Sequence, residues 1–251
     1  MSRSTNTRDE TRYVGIVADG PTDQEIMARF MKSLLEPAGQ YEEVLIGEKL
    51  SVYMAPFRQK ASRTGEYGLF DKPAIKLRKA IVNVIHSAVG EFRDAIGREL
   101  SHSDVLLLST DAECPINSPQ EWHEIERIVV MCRTFDGAIA EFYNAPGNRL
   151  NWEYLPLVVP LVLFPSADVL IAAARSDYDV SLEFRGKKAP WLKQELYGCC
   201  DLRQLRPDDL EKKALSYLTF DACKQIYSSV PEARMLLRTL TWAQGPPSPL
   251  S

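Results

Sequence analysis

Hydrophobic positions along the chain follow two alternating rhythms. Tyr13–Ala18 is a short, nearly continuous apolar run that ends on Asp19-Gly20. A run of that length bounded by a turn signal predicts a buried strand. The rhythm then changes at once. Ile26, Met27, Phe30, Met31, Leu34 and Leu35 recur at helical spacing and form one apolar stripe. Thr22, with Glu25 three residues later, has the form of a capping box, which predicts a helix start there with Asp23 at the first helical position. "EEVLIG" and "LSVYMAPF" read as two further strands. A long helix follows near Asp71-Lys72-Pro73, with proline in its first turn. Its buried face is Ile81, Val82, Ile85, Ala88, Val89, Phe92 and Ile96.

The Val105–Leu108 run in "SDVLLLSTD" is apolar on both faces, as a strand inside a covered parallel sheet requires. Ser118-Pro119-Gln120-Glu121 is a second capping box, opening a helix that buries Trp122, Ile125, Ile128, Val129, Cys132 and Phe135. "YLPLVVPLVLF" is another strand, and its prolines fit a start or an irregular point. Helical patterns then occupy 166–174, 189–198, 208–227 and 231–242. Strand and helix alternate, which predicts an α/β domain with a mostly parallel sheet, helices on both faces and a helical C-terminal extension. The expected division is a flexible arm over 1–11, an α/β core over 12–175, a helical part over 176–243 packed on that core, and a flexible tail over 244–251.

Composition narrows the function classes. The chain has 251 residues, 45% hydrophobic and 25% charged, which is ordinary for a globular protein. No apolar run reaches the ~20 residues of a membrane span, and the polar first residues lack a secretory core. A cytoplasmic location, without membrane contact, is the expectation. Five cysteines with no metal-type spacing read as reduced thiols. A net charge of −4 provides no global field for nucleic acid, so any such contact needs a local patch. Arg58, Lys60 and Arg63 in "PFRQKASRTGEYG" supply one, although a charge run is also what a solvated loop looks like.

The strand endings carry the candidate chemistry. Ligands of parallel sheets sit at the carboxyl ends of strands. Asp19 ends the first strand, Asp111 ends "VLLLST", and Glu113 lies two residues on, on the same side of an extended chain. Clustered carboxylates repel unless a hard cation sits among them, and Mg²⁺ takes all-oxygen ligands. The alternative is a set of turn residues with solubilising charges. Asp168, after the last strand, reads either as a fourth acidic ligand or as a helix-start charge. Asp23 carries the same ambiguity. His86, His102 and His123 are scattered, and no phosphate loop, nucleophile elbow or dinucleotide fingerprint is present.

An acidic residue plus glycine closing the first strand, followed by an acidic pair at the end of a later one, resembles the Toprim domain of topoisomerases, primases and overcoming-lysogenization-defect nucleases. The likeness is greatest to a Toprim-like family of prokaryotic proteins associated with anti-phage defence. "VADGPTDQEIMARFMKSLL", "DVLLLSTDAE" and "VPLVLFPSADVLIAAARSD", the last followed by "KKAPWLKQEL", carry it over most of residues 12–240. The resemblance implies a Mg²⁺- or Mn²⁺-dependent nuclease acting on DNA or RNA. Asp19, Asp111 and Glu113 would be catalytic and metal-binding, with Asp168 as a further ligand and Arg58, Lys60 and Arg63 on the nucleic acid. It also implies an ATPase partner and allows a homo-oligomer. The chain departs from the family at three places. Asp19 stands for a usual glutamate, Glu113 for a usual aspartate and Asp168 for a usual glutamate. Each keeps the charge but alters its reach, and a reach error of ~1 Å can cost ~100-fold in rate. An inactive, partner-binding subunit is therefore the second expectation. A small-molecule phosphotransferase using the same carboxylates is the third.

Overall fold

The computed structural model describes residues 11–35, 41–51, 54, 72–112, 122–175, 177–178, 180 and 187–243. Four strands, β1 (Arg12–Ala18), β2 (Tyr41–Lys49), β3 (Val105–Asp111) and β4 (Leu157–Leu163), form one sheet in the order β2-β1-β3-β4. Every pairing is parallel. The expected α/β layout is therefore what the chain adopts. β3 is central and buried along all seven residues, which explains its unbroken apolar sequence. β2 is an edge strand and alternates exposed and covered positions.

Side-chain alternation along the strands separates two cores. Leu107 joins Val14, Ile16 and Leu161 on one face, under Ile26 and Phe30 of α1 (Pro21–Leu35). The same core continues into α5 (Asp168–Ala174), α6 (Ala189–Tyr197), α7 (Pro207–Lys213), α8 (Phe220–Ser229) and α9 (Pro231–Ala243). Leu106 and Leu108 join Val17 and Val158 on the other face. There they meet Ile81, Ile85 and Phe92 of α2 (Lys72–Ile96) and Phe135 and Phe142 of α3 (Trp122–Asn144). A short helix, α4 (Pro146–Leu150), follows α3. Gly15 marks where α2 comes closest to the sheet. A Cβ there would lie 2.9 Å from the Phe92 ring, so any larger residue would force the helix away.

Several local expectations change. The first helix begins at Pro21, with Gln24 N–H donating to Gly20 O, so Thr22 lies inside the first turn and Asp23 is the third helical residue. The described residues of "LSVYMAPF" are not strand. Ser51 and Met54 are helical, and Met54 N–H bonds Leu50 O at 3.0 Å, an i→i−4 contact that ends β2. Val129 is exposed, and the buried stripe of α3 runs instead through Met131, Phe135, Ala138 and Phe142. The 208–227 pattern breaks at residues 214–219. There Thr219 caps α8 by accepting from Ala222 N–H, and Ser33 of α1 donates to Leu218 O at 2.6 Å. The basic segment with Arg58, Lys60 and Arg63, the Ser118 capping box and Glu113 lie outside the described residues.

The outer edge of β4 is closed by side chains. Tyr143 hydroxyl donates to Pro156 O at 2.7 Å and accepts from Val158 N–H at 2.9 Å. Two residues on, the next outward position is Pro160, which has no N–H. α9 packs against the same strand. No helix among the described residues is long and apolar enough to cross a membrane.

Candidate functional site at the carboxyl edge of the sheet

Three chain segments bring acidic side chains to the carboxyl edge. β1 and β3 are direct neighbours, so the residues that leave them meet. Thr110 hydroxyl lies 3.0 and 2.9 Å from the two carboxylate oxygens of Asp19, and Asp111 N–H donates to Asp19 Oδ2 at 2.9 Å. Gln24 secures the approach from α1. Its Nε2 donates to Ile16 O and to Ile46 O, both at 2.7 Å, across the irregularity where the β1–β2 register shifts. The turn carrying Asp19 is thus tied to both neighbouring strands.

Asp111 is 6% exposed. Its Oδ1 accepts from Ala167 N–H at 2.8 Å, which joins the end of β3 to the turn after β4. Burial pushes the Asp111 carboxyl well above the usual carboxylate range, and the charges of Asp23, Asp19 and Asp168 push it the same way. Lys193 acts in the opposite sense.

Asp168 opens α5 and is buried. Its carboxylate does not serve as a helix cap. Oδ2 accepts from Ser166 hydroxyl at 2.7 Å and Oδ1 from Tyr197 hydroxyl at 2.8 Å, with Lys193 Nζ 3.9 Å from Oδ2. Burial and the nearby Asp168 hold the Tyr197 phenol well above its ordinary value, so it stays a donor. Lys213 Nζ bonds Tyr197 O and Arg175 bonds Leu196 O, which fixes the end of α6 against the core.

The structure therefore joins Asp19 to Asp111, sets Asp23 and Asp168 within range of the Asp111 charge, and supplies Thr110, Ser166, Tyr197 and Lys193 around them. Thr110, Tyr197 and Lys193 were not singled out in the sequence, and Ser166 was read only as a candidate helix cap. Lys193 and Tyr197 belong to "KKAPWLKQELYG", where a four-residue spacing puts both on one helix face. That spacing was the available signal. For a divalent cation the donors are right in kind, all of them hard oxygens. They are short in number, because no three acidic, histidine or cysteine side chains are grouped as a metal site among the described residues. Comparison with family models, with curated proteins and with solved structures gives no match.

Proposed function

We propose that this chain is a Toprim-like, divalent-cation-dependent nuclease whose active centre is the carboxyl edge around Asp111. Asp19 and Asp111 would share Mg²⁺ or Mn²⁺ with Glu113, and Asp168 stands behind them. One observation carries this reading: the buried Asp111 carboxyl, next to Asp19, feels the charges of three other carboxylates and one lysine. Burying like charges together is costly and is characteristic of functional sites. A bound divalent cation would supply Lewis-acid polarisation of a phosphoryl oxygen. The protein's own part is positional. Thr110 and the β3 backbone fix Asp19, Ala167 N–H fixes Asp111, and Ser166 with Tyr197 fixes Asp168. Lys193 offers the positive charge that a phosphate needs beside so many anions. Arg58, Lys60 and Arg63 are assigned to backbone phosphates. The resemblance adds a role in anti-phage defence with an ATPase partner.

A second reading has its own support. Both oxygens of Asp19 and both of Asp168 already accept hydrogen bonds from the fold, as expected of a non-catalytic subunit that kept the architecture and docks a partner. Incubating the purified protein with plasmid DNA and with RNA separates the two. The assay needs Mg²⁺ or Mn²⁺ and is run with and without a candidate ATPase. Cleavage lost in Asp111→Asn supports the nuclease. No cleavage of either substrate under any of these conditions supports the subunit.

A further inference from the structure

The opposite edge of the sheet holds a cavity of about 700 Å³, within the size range of small-molecule sites. It lies between the last turns of α2, the segment around α4, and Leu100 and Leu155, which precede β3 and β4. Its walls differ in chemistry. On the α2 side, His86, Gly90 and Arg93 share one helix face, at the i, i+4, i+7 spacing. Nothing lies within 4 Å of where a Cβ on Gly90 would stand, so the space between the two basic side chains stays open. No ion pair engages Arg93 among the described residues. Phe142 lines the cavity and meets the His86 ring edge-on, with centroids 4.9 Å apart.

The facing wall carries two amides, a carboxylate and a phenol. Asn148 Nδ2 donates to Phe142 O at 2.7 Å and Asn151 Nδ2 donates to Gly147 O at 3.0 Å. One N–H of each amide is engaged in this way, which leaves its Oδ1 as an acceptor and its second N–H as a donor. The Glu99 carboxylate adds a further acceptor, and Tyr154 supplies a half-exposed ring and hydroxyl. A guanidinium and an imidazole on one wall, amides and a carboxylate on the other and aromatic carbon between them call for a particular ligand. It must carry an anionic head, a flat ring and N–H donors on that ring. An inorganic anion leaves the Glu99 carboxylate and the aromatic rings unused, and a neutral heterocycle leaves Arg93 unused.

We propose that this cavity binds a purine nucleoside monophosphate, with the phosphate towards Arg93 and His86 and the base amino group towards Asn148, Asn151 and Glu99. A phosphate–guanidinium contact is charge-assisted and is the stronger anchor. The inference is independent of the cation reading at the carboxyl edge. Calorimetric titration and thermal melting of the full chain, with EDTA present throughout, test it with AMP, GMP, adenosine and inorganic phosphate. At least one nucleotide is expected to bind saturably and raise the melting temperature, with adenosine and phosphate at least tenfold weaker. Arg93→Ala is expected to weaken nucleotide binding about tenfold, and Gly90→Trp, whose side chain enters the open space, to abolish it. Both variants are checked for a wild-type circular dichroism spectrum, and Gly90→Ala serves as a folded control that keeps binding. The proposal is overturned if neither nucleotide binds saturably, if phosphate alone binds as tightly, or if folded Arg93→Ala and Gly90→Trp bind like wild type.

Discussion

Asp104 and Asp111 stand at opposite ends of the same strand, both almost fully buried. Around Asp104 everything is a donor. Arg98 grips both of its oxygens at 2.8 and 2.9 Å, Tyr13 N–H and Ser101 N–H reach it at 3.1 and 2.9 Å, and Ser101 hydroxyl adds a longer bond. Asp111 accepts from Ala167 N–H, and the charges of Asp23, Asp19 and Asp168 around it share its sign. Burial alone does not distinguish them. The surroundings do. A carboxylate whose lone pairs and charge are answered locally is a fastener, joining β1 to the segment between α2 and β3. One crowded by its own kind is held by the rest of the fold at a cost in stability, and such places are where function is sought.

The largest effect expected from this contrast is at the fastener. Asp104→Ala strands a partly exposed Arg98 and several N–H groups, and should cost about 3 kcal/mol in urea unfolding. A loss below about 1 kcal/mol would show that Asp104 is not the anchor described. Next comes the response to metal. If the crowded end takes a cation, Mn²⁺ at a hundred times its Kd should stabilise the wild type by about 2.7 kcal/mol, and this gain should vanish in Asp111→Asn and shrink in Asp19→Asn. Identical metal responses in all three proteins would remove the cation from the site.

Tyr197→Phe deletes one donor to buried Asp168 and should cost about 2 kcal/mol, the range for a hydrogen bond to a charged group. A fully neutral substitution would mean that Ser166 and Lys193 suffice. The smallest effect has the opposite sign. The Asp111 carboxyl is raised in the folded state, so the native protein holds its proton more tightly than the unfolded chain does. The cost of that site is present above its folded pKa. It is relieved as pH falls through that value toward the ordinary 3.8. Metal-free Asp111→Asn should therefore be slightly more stable than wild type at pH 7, by up to about 1 kcal/mol, and the difference should close on acidification. Melting temperatures from pH 7 down to 4 read this directly. A mutant less stable than wild type at neutral pH would make Asp111 a second fastener.

Much of the architecture was legible because period and punctuation agreed. β3 announced itself by an apolar run with no polar face, and α1 by a clean stripe. The convergence of Asp19 and Asp111 followed from two strand endings and the rule for parallel sheets. What was not legible depended on long-range partners. Asp168 read either as a ligand or as a helix-start charge, and the sequence did not reveal that Tyr197, twenty-nine residues on, donates to it. Gln24 carries no signal in the sequence, and only the paired strands reveal the two carbonyls it bridges. "LSVYMAPF" has strand-forming residues, but the turn that closes at Leu50 and Met54 overrides their propensity.

The closed side of β4 bears on how this sheet can grow. A foreign strand adding there would look for donors at the outward positions 158, 160 and 162. It would find the first already held by Tyr143 and the second absent, because residue 160 is proline. Val162 lines a groove of about 370 Å³ shared with Met235 and Leu236 of α9, so the third position lies alongside a helix. Templated extension of the sheet is thereby blocked on one flank by residues that occupy no part of either candidate site. This is the usual protection against edge-to-edge aggregation.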